Sequence, residues 1–302
     1  MLPVSRLSAA PHSGAAGWHH RPPASRRTET VTDYATLTDR SAPQAQRIAD
    51  LAKASVSPGK SVLIEDEEPL LAALGAGLRF LGVYVLDSVE PPRGVVESCE
   101  QAGVPVTVMS AALATELFRS DKRPDVFGVA RVPPPPGIER LQAPGRDVLI
   151  LDGVRIVGNI GAIVRSAYAF GAAGVVLVDS GLRSITDRRL IRASRGYVFS
   201  LPVALMTWEE VSELVNQAGM DVVLLDTAGG TGLDQVAARS APQALLLGAE
   251  TVGASEQARH LAATTVSIPM NEAVESLNVS VTAGVLLHAR SGYNLARMRG
   301  ES

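Results

Sequence analysis

Short aliphatic runs recur through the second half of this chain, each followed by a segment whose apolar residues return every three or four positions. The runs at 148–151, 175–178, 203–205, 222–225, 244–247 and 266–268 predict strands, and 159–171, 187–194, 208–218 and 278–290 predict helices. Strands that are apolar almost throughout, rather than alternating, belong to a parallel sheet covered on both faces. An α/β domain over 138–302 is therefore expected.

The stretch 38–137 carries a smaller pattern of the same kind. Strands are expected at 83–86, 104–108 and 127–132, and helices near 43–53, 67–78, 93–102 and 111–118, which makes a small N-terminal α/β domain. It stops at four consecutive prolines, 133–136, whose lost donors and fixed φ suit a semi-rigid spacer between two domains. Residues 1–37 are rich in Pro, Gly, Ser and Arg with no acid before Glu29, and no apolar periodicity supports a transit peptide. A disordered extension is expected there. No internal repeat is evident.

Composition narrows the function. The 302 residues are 46% hydrophobic and 20% charged, a globular balance. The single Cys99 excludes an internal disulfide and a multi-cysteine zinc site, and the five histidines lack ligand spacing, so no metal is expected. Charged residues or glycine interrupt every apolar run before membrane-spanning length, which points to a soluble, cytoplasmic protein. A net charge of -3 gives no global pull on nucleic acid, so an RNA partner needs a local basic surface.

Chemistry-bearing residues concentrate in three turns that follow predicted strands, where open α/β sheets bind ligands. They are 152–161, running into a helix that carries Arg165; 248–253; and 268–278. Each alone could be ordinary helix capping. No G-x-G-x-x-G opens the first βα unit and no P-loop occurs, so a standard dinucleotide or phosphate cradle is unsupported.

Together the three blocks resemble the SpoU branch of the SPOUT methyltransferases. They read Asn159-Ile160-Gly161-Ala162-Ile163-Val164-Arg165, Leu247-Gly248-Ala249-Glu250 through Gly253, and Ile268-Pro269-Met270 with Ser276-Leu277-Asn278-Val279-Ser280. The resemblance narrows to the thiopeptide-resistance methyltransferases of the thiostrepton and nosiheptide type, through Leu63-Ile64-Glu65-Asp66, 127–133, 151–165 and 187–202. It implies a catalytic domain with a deep trefoil knot, a rare exception to unknotted folds. It further implies a ribosomal-protein-like RNA-binding domain in front, a homodimer, and S-adenosylmethionine as methyl donor, with S-adenosylhomocysteine as product. The implied reaction is 2'-O-methylation of an adenosine ribose, adenosine 1067, in the GTPase-associated loop of 23S rRNA, conferring thiopeptide resistance; the alternatives are the same chemistry at another rRNA or tRNA site, or a non-catalytic rRNA-binding resistance protein.

By that resemblance the donor is held near Leu247, Gly248, Ile268, Met270, Leu277 and Val279, and catalysis falls to Arg165 with Asn159, Glu250, Ser276 and Asn278. A guanidinium is essentially always protonated, so Arg165 suits a clamp on an RNA phosphate better than a proton-abstracting base. Arg47, Lys60, Phe118, Arg119 and Lys122 are expected to bind RNA, Phe118 by stacking a base and the cations by meeting phosphates; a core role for Phe118 is the alternative. Arg188, Arg189, Arg192 and Arg195 offer either a second cationic strip or ordinary salt bridges.

Overall fold

The computed structural model describes residues 34–53, 59–119, 123–142, 145–227, 230–271 and 273–300. The expected extension falls outside these up to residue 33, as does Lys122. The described residues from Tyr34 on belong to one compact unit.

The N-terminal part runs β1 (Ala35–Leu37), α1 (Pro43–Lys53), β2 (Ser61–Glu65), α2 (Glu67–Gly75), β3 (Phe80–Leu86), α3 (Arg93–Ala102), β4 (Val106–Met109), α4 (Ala111–Phe118) and β5 (Val126–Arg131). Its sheet has the order β1-β4-β3-β5-β2, with β5 antiparallel to both neighbours and the other pairings parallel. Alternate residues face opposite sides of a strand. Phe127 and Val129 thus join Ile48 and Leu117 of α1 and α4, while Val126 and Ala130 join Leu70 and Val95 of α2 and α3. Residues 35–37, counted into the expected extension, are instead a strand: Ala35–Leu37 pairs with β4 and buries Leu37. Three residues are too few to show a period, which is why the pattern missed this strand.

After the prolines come α5 (Ile138–Gln142), β6 (Val148–Asp152), α6 (Val157–Ala169), β7 (Gly174–Val178), α7 (Arg188–Ala193), β8 (Val203–Leu205), α8 (Trp208–Ala218), β9 (Asp221–Leu225), β10 (Thr231–Gly232), α9 (Leu233–Ala237), β11 (Gln243–Leu247), α10 (Glu256–Leu261), β12 (Thr264–Ser267) and α11 (Val279–Met298). The seven strands are parallel throughout, in the order β10-β12-β9-β11-β6-β7-β8. From β6 the chain moves outward through β7 and β8, then returns to fill the other side. The direction of winding therefore reverses between β6 and β11, which opens a crevice at the carboxyl ends of the strands. Helices cover both faces, as the continuous apolar strands require.

Besides an apolar cluster of its own, each part shares a core with the other. One apolar cluster runs from Val62, Leu70 and Val95 into Leu149, Ile160, Leu190 and Leu286. Charge reinforces the junction. Glu65, 8% exposed, accepts from Arg188 at 2.6 and 3.1 Å and from Arg192 at 3.2 Å, while Arg188 also donates to the Ala52 carbonyl. Arg195 pairs with Glu68 at 2.9 Å and Arg189 with Asp187 at 2.8 Å. The arginines weighed as a second cationic strip are thus engaged in ion pairs, mostly across the junction.

Candidate active site

The crevice contains a cavity of about 740 Å³ at the ends of β9, β11 and β12, walled by the turns 248–254 and 267–277 and by the start of α11. Leu247, Gly248, Ile268, Met270, Leu277 and Val279 all line it, together with Glu250 and Ser276. Leu247 and Val279 are buried and Ile268, Met270 and Leu277 half-buried, a lining of apolar side chains that can take a flat heteroaromatic ring without any charged contact.

Glu250 is where distant parts of the chain meet. Its Oε1 accepts from Asn159 Nδ2 at 2.9 Å, Asn278 Nδ2 at 2.8 Å and the Val279 backbone N–H at 3.2 Å. Asn278 is the N-cap of α11: its Oδ1 accepts from the Ser280 N–H at 2.9 Å, and this leaves its amide group to reach Asn159 and Glu250. The carboxylate therefore sits at the positive end of a 20-residue helix, a favourable place for it. Asn159, Glu250 and Asn278 come together; Ser276 lies on the same cavity wall.

Two glycines make this geometry possible. A Cβ on Gly161 would fall 2.4 Å from that of Ala193, so only glycine lets α6 lie against α7 and bring Asn159 into place. A Cβ on Gly248 would meet the Ala254 backbone nitrogen at 2.4 Å, inside the turn that the paired Ala249 and Gly253 close. Asp152, buried at the end of β6, fixes the far side of that turn by accepting from the Ser255 N–H at 2.6 Å.

Arg165 is not part of the triad. Six residues separate it from Asn159, which in an α-helix is about 9 Å along the axis and a rotation of about 240°, so the two side chains leave α6 on different faces. Arg165 is half-buried, makes no hydrogen bond or ion pair among the described residues, and does not line the cavity. In the N-terminal part Arg47, Lys60 and Arg119 are exposed. Phe118 is a different case. Its ring packs edge-on against Phe127, with centroids 5.1 Å apart, at the border of the core, so it anchors α4 instead of standing free for a base.

Sequence reasoning placed Asp152 in the first turn without giving it a role and passed over Asp226, Thr227 and Arg259, which line the cavity. A signal was present for the aspartates: each stands at or just after the carboxyl end of an apolar strand. Arg259 sits on α10, a helix whose six residues left no periodic trace.

Residues 34–144 match the family described as thiostrepton-resistance methylase, N terminus, and residues 147–288 match the SpoU rRNA methylase family. A 23S rRNA (adenosine(1067)-2'-O)-methyltransferase of Streptomyces laurentii is 49% identical over 87% of this chain and 98% of its own length. The chain belongs to the SpoU rRNA methylase family. A second relative of the same description, from Streptomyces azureus, is 43% identical over 89% of this chain and all of its own length. Among solved structures, an AdoMet-bound rRNA methyltransferase of Sinorhizobium meliloti superposes with a TM-score of 0.68 at 25% identity, over 85% of this chain and 97% of that one. The SpoU methyltransferase AviRb of Streptomyces viridochromogenes, in complex with AdoMet, gives 0.68 at 25% identity over 82% and 98%. This SpoU chain is thus a methyltransferase by family, and both of those solved structures hold AdoMet.

Proposed function

We propose that this SpoU family member methylates the 2'-oxygen of adenosine 1067 in the GTPase-associated loop of 23S rRNA, in the cytoplasm, and thereby confers thiopeptide resistance. The carrying observation is the meeting of Asn159, Glu250 and Asn278 on one carboxylate oxygen at the cavity wall, in a chain half identical to an adenosine-1067 enzyme along nearly its whole length. The cavity fits the donor chemically: apolar side chains and open backbone suit adenine, and Asp226, Glu250 and Glu275 against Arg259 make the described lining net negative, which suits a cationic ligand. When bound, S-adenosylmethionine supplies a methyl group made electrophilic by its sulfonium.

The protein's part is then mostly positioning. Glu250 holds the turn 248–253 against α6 and α11, and Asn159 and Asn278 fix that carboxylate. Ser276 offers a hydroxyl toward the ribose. Arg165, without a partner among the described residues and outside the cavity that its own chain forms, suits a phosphate clamp. Its face of α6 favours service at a neighbouring site, which agrees with a homodimer. The C-terminal part of the chain is the part we assign to a trefoil knot, lined by the second and third motifs. The N-terminal part, over 38–137, serves as the RNA-binding domain through Arg47, Lys60, Arg119 and Lys122, ahead of a catalytic domain over 138–302.

Labelled methyl transfer to a GTPase-associated-loop fragment tests the reading. Label should appear at one nucleotide and vanish when adenosine 1067 carries a 2'-deoxyribose; label on tRNA with none on the fragment would overturn the target. Arg165→Ala should lower transfer about 100-fold, the scale of a misplaced reactant, with S-adenosylhomocysteine affinity unchanged.

A further inference from the structure

Asp226 and Arg259 lie on the cavity wall, and no step described so far uses them. Asp226 follows β9, between the ends of β11 and β12, and Arg259 projects from α10. The Arg259 Nη1 is 2.7 Å from Asp226 Oδ2, with side chains 52% and 16% exposed. The guanidinium also borders the Glu250 turn: a Cβ at Gly253 would stand 3.6 Å from its Nη2. Arg259 is the only cation among the described lining residues, beside three carboxylates.

We propose that this ion pair is the subsite for the amino-acid head of the donor, Arg259 taking the α-carboxylate and Asp226 the α-ammonium. The inference rests on the cavity being the donor site. An α-amino acid carries its two charges on substituents of one carbon, side by side, and the Asp226–Arg259 pair presents the opposite charges side by side. Joined antiparallel, they leave no charge unmatched in a partly buried wall. The α-carboxylate is the donor's only anion, since adenosine is uncharged and the sulfonium is positive. A planar guanidinium with one nitrogen on Asp226 keeps further donors for that carboxylate, and charge-assisted bonds of this kind are the strong ones. The pair thereby sets the far end of the donor relative to the Glu250 turn, and so the angle at which the methyl faces the rRNA.

Calorimetry on the full chain separates this from a structural ion pair. S-adenosylhomocysteine and 5'-methylthioadenosine share adenosine and a thioether, and only the first has the amino-acid head. Arg259→Met should weaken S-adenosylhomocysteine by about tenfold to a hundredfold, the worth of a charged hydrogen bond, and leave methylthioadenosine within about twofold. Asp226→Asn should act in the same direction. Equal losses on both ligands, or a loss on neither, would overturn the assignment. A measurement without any variant serves if those proteins fold poorly: the unsubstituted chain should bind decarboxylated S-adenosylmethionine about tenfold more weakly than S-adenosylmethionine, and equal affinity would overturn the assignment. If the unsubstituted chain bound none of these compounds, the donor-site reading itself would fall instead.

Discussion

Two polar networks hang on the same strand and the same helix, at opposite edges of the seven-stranded sheet. At the amino edge, Asp147 just before β6 receives Arg290 Nε and Nη2, both at 2.8 Å, Asn294 Nδ2 at 2.9 Å and the Gln243 N–H at 2.9 Å. Arg290 spends its remaining donors on the Val236, Arg239 and Ala241 carbonyls, and both charged side chains are fully buried. At the carboxyl edge, Glu250 and Asn278 are exposed and Asn159 half-buried, and the two amides meet on one Glu250 oxygen. The first network is saturated and fixes α11; the second has capacity left over and faces a cavity. Burial and saturation, more than the residue types, separate the structural polar cluster from the one proposed to work.

The contrast breaks most sharply at Arg290. Arg290→Met strands the Asp147 carboxylate in a dry interior and should cost about 3–5 kcal/mol in urea unfolding, while the folded fraction keeps its affinity for S-adenosylhomocysteine. At the other edge the balance should invert. Glu250→Ala should remove about 1 kcal/mol of stability, the value of a net hydrogen bond, yet lower methyl transfer about 100-fold because the turn and the α11 cap lose their shared reference point. A loss of stability matching that of Arg290→Met would dissolve the distinction.

A lone buried group gives the smallest effect. Burial in α3 pushes the Cys99 thiol up to about 11. Its pKa is higher folded than unfolded, so its contribution is complete below the ordinary value near 9 and is lost as pH climbs through about 11. Unfolding midpoints taken from pH 8 to 11 should fall over that upper range, and a thiol reagent at pH 8 should react only with unfolded chains.

Much of the fold was legible because its signals are local. The helices 43–53, 93–102, 111–118 and 208–218 match α1, α3, α4 and α8, whose apolar residues recur on one face. The sequence did not mark Ser61–Glu65 as a strand, since five residues with four buried have no alternation, nor could it show that β5 runs antiparallel between β2 and β3. The three turns were legible as motifs, but their convergence joins positions 91 and 119 residues apart, which no local pattern encodes. The same holds for Arg188: its charge left a cationic strip and a salt bridge both open, and Glu65, 123 residues away, decides for the ion pair.

That Glu65 junction has a consequence for substrate choice. With β2 pinned to α7 through a buried carboxylate and a shared apolar core, the span from the N-terminal basic residues to the Asn159 triad is set before any RNA arrives. On the proposed function, such a body would work as a caliper, gauging the separation of two points on a folded RNA. An oligonucleotide with the right bases but the wrong tertiary shape should slip between its jaws.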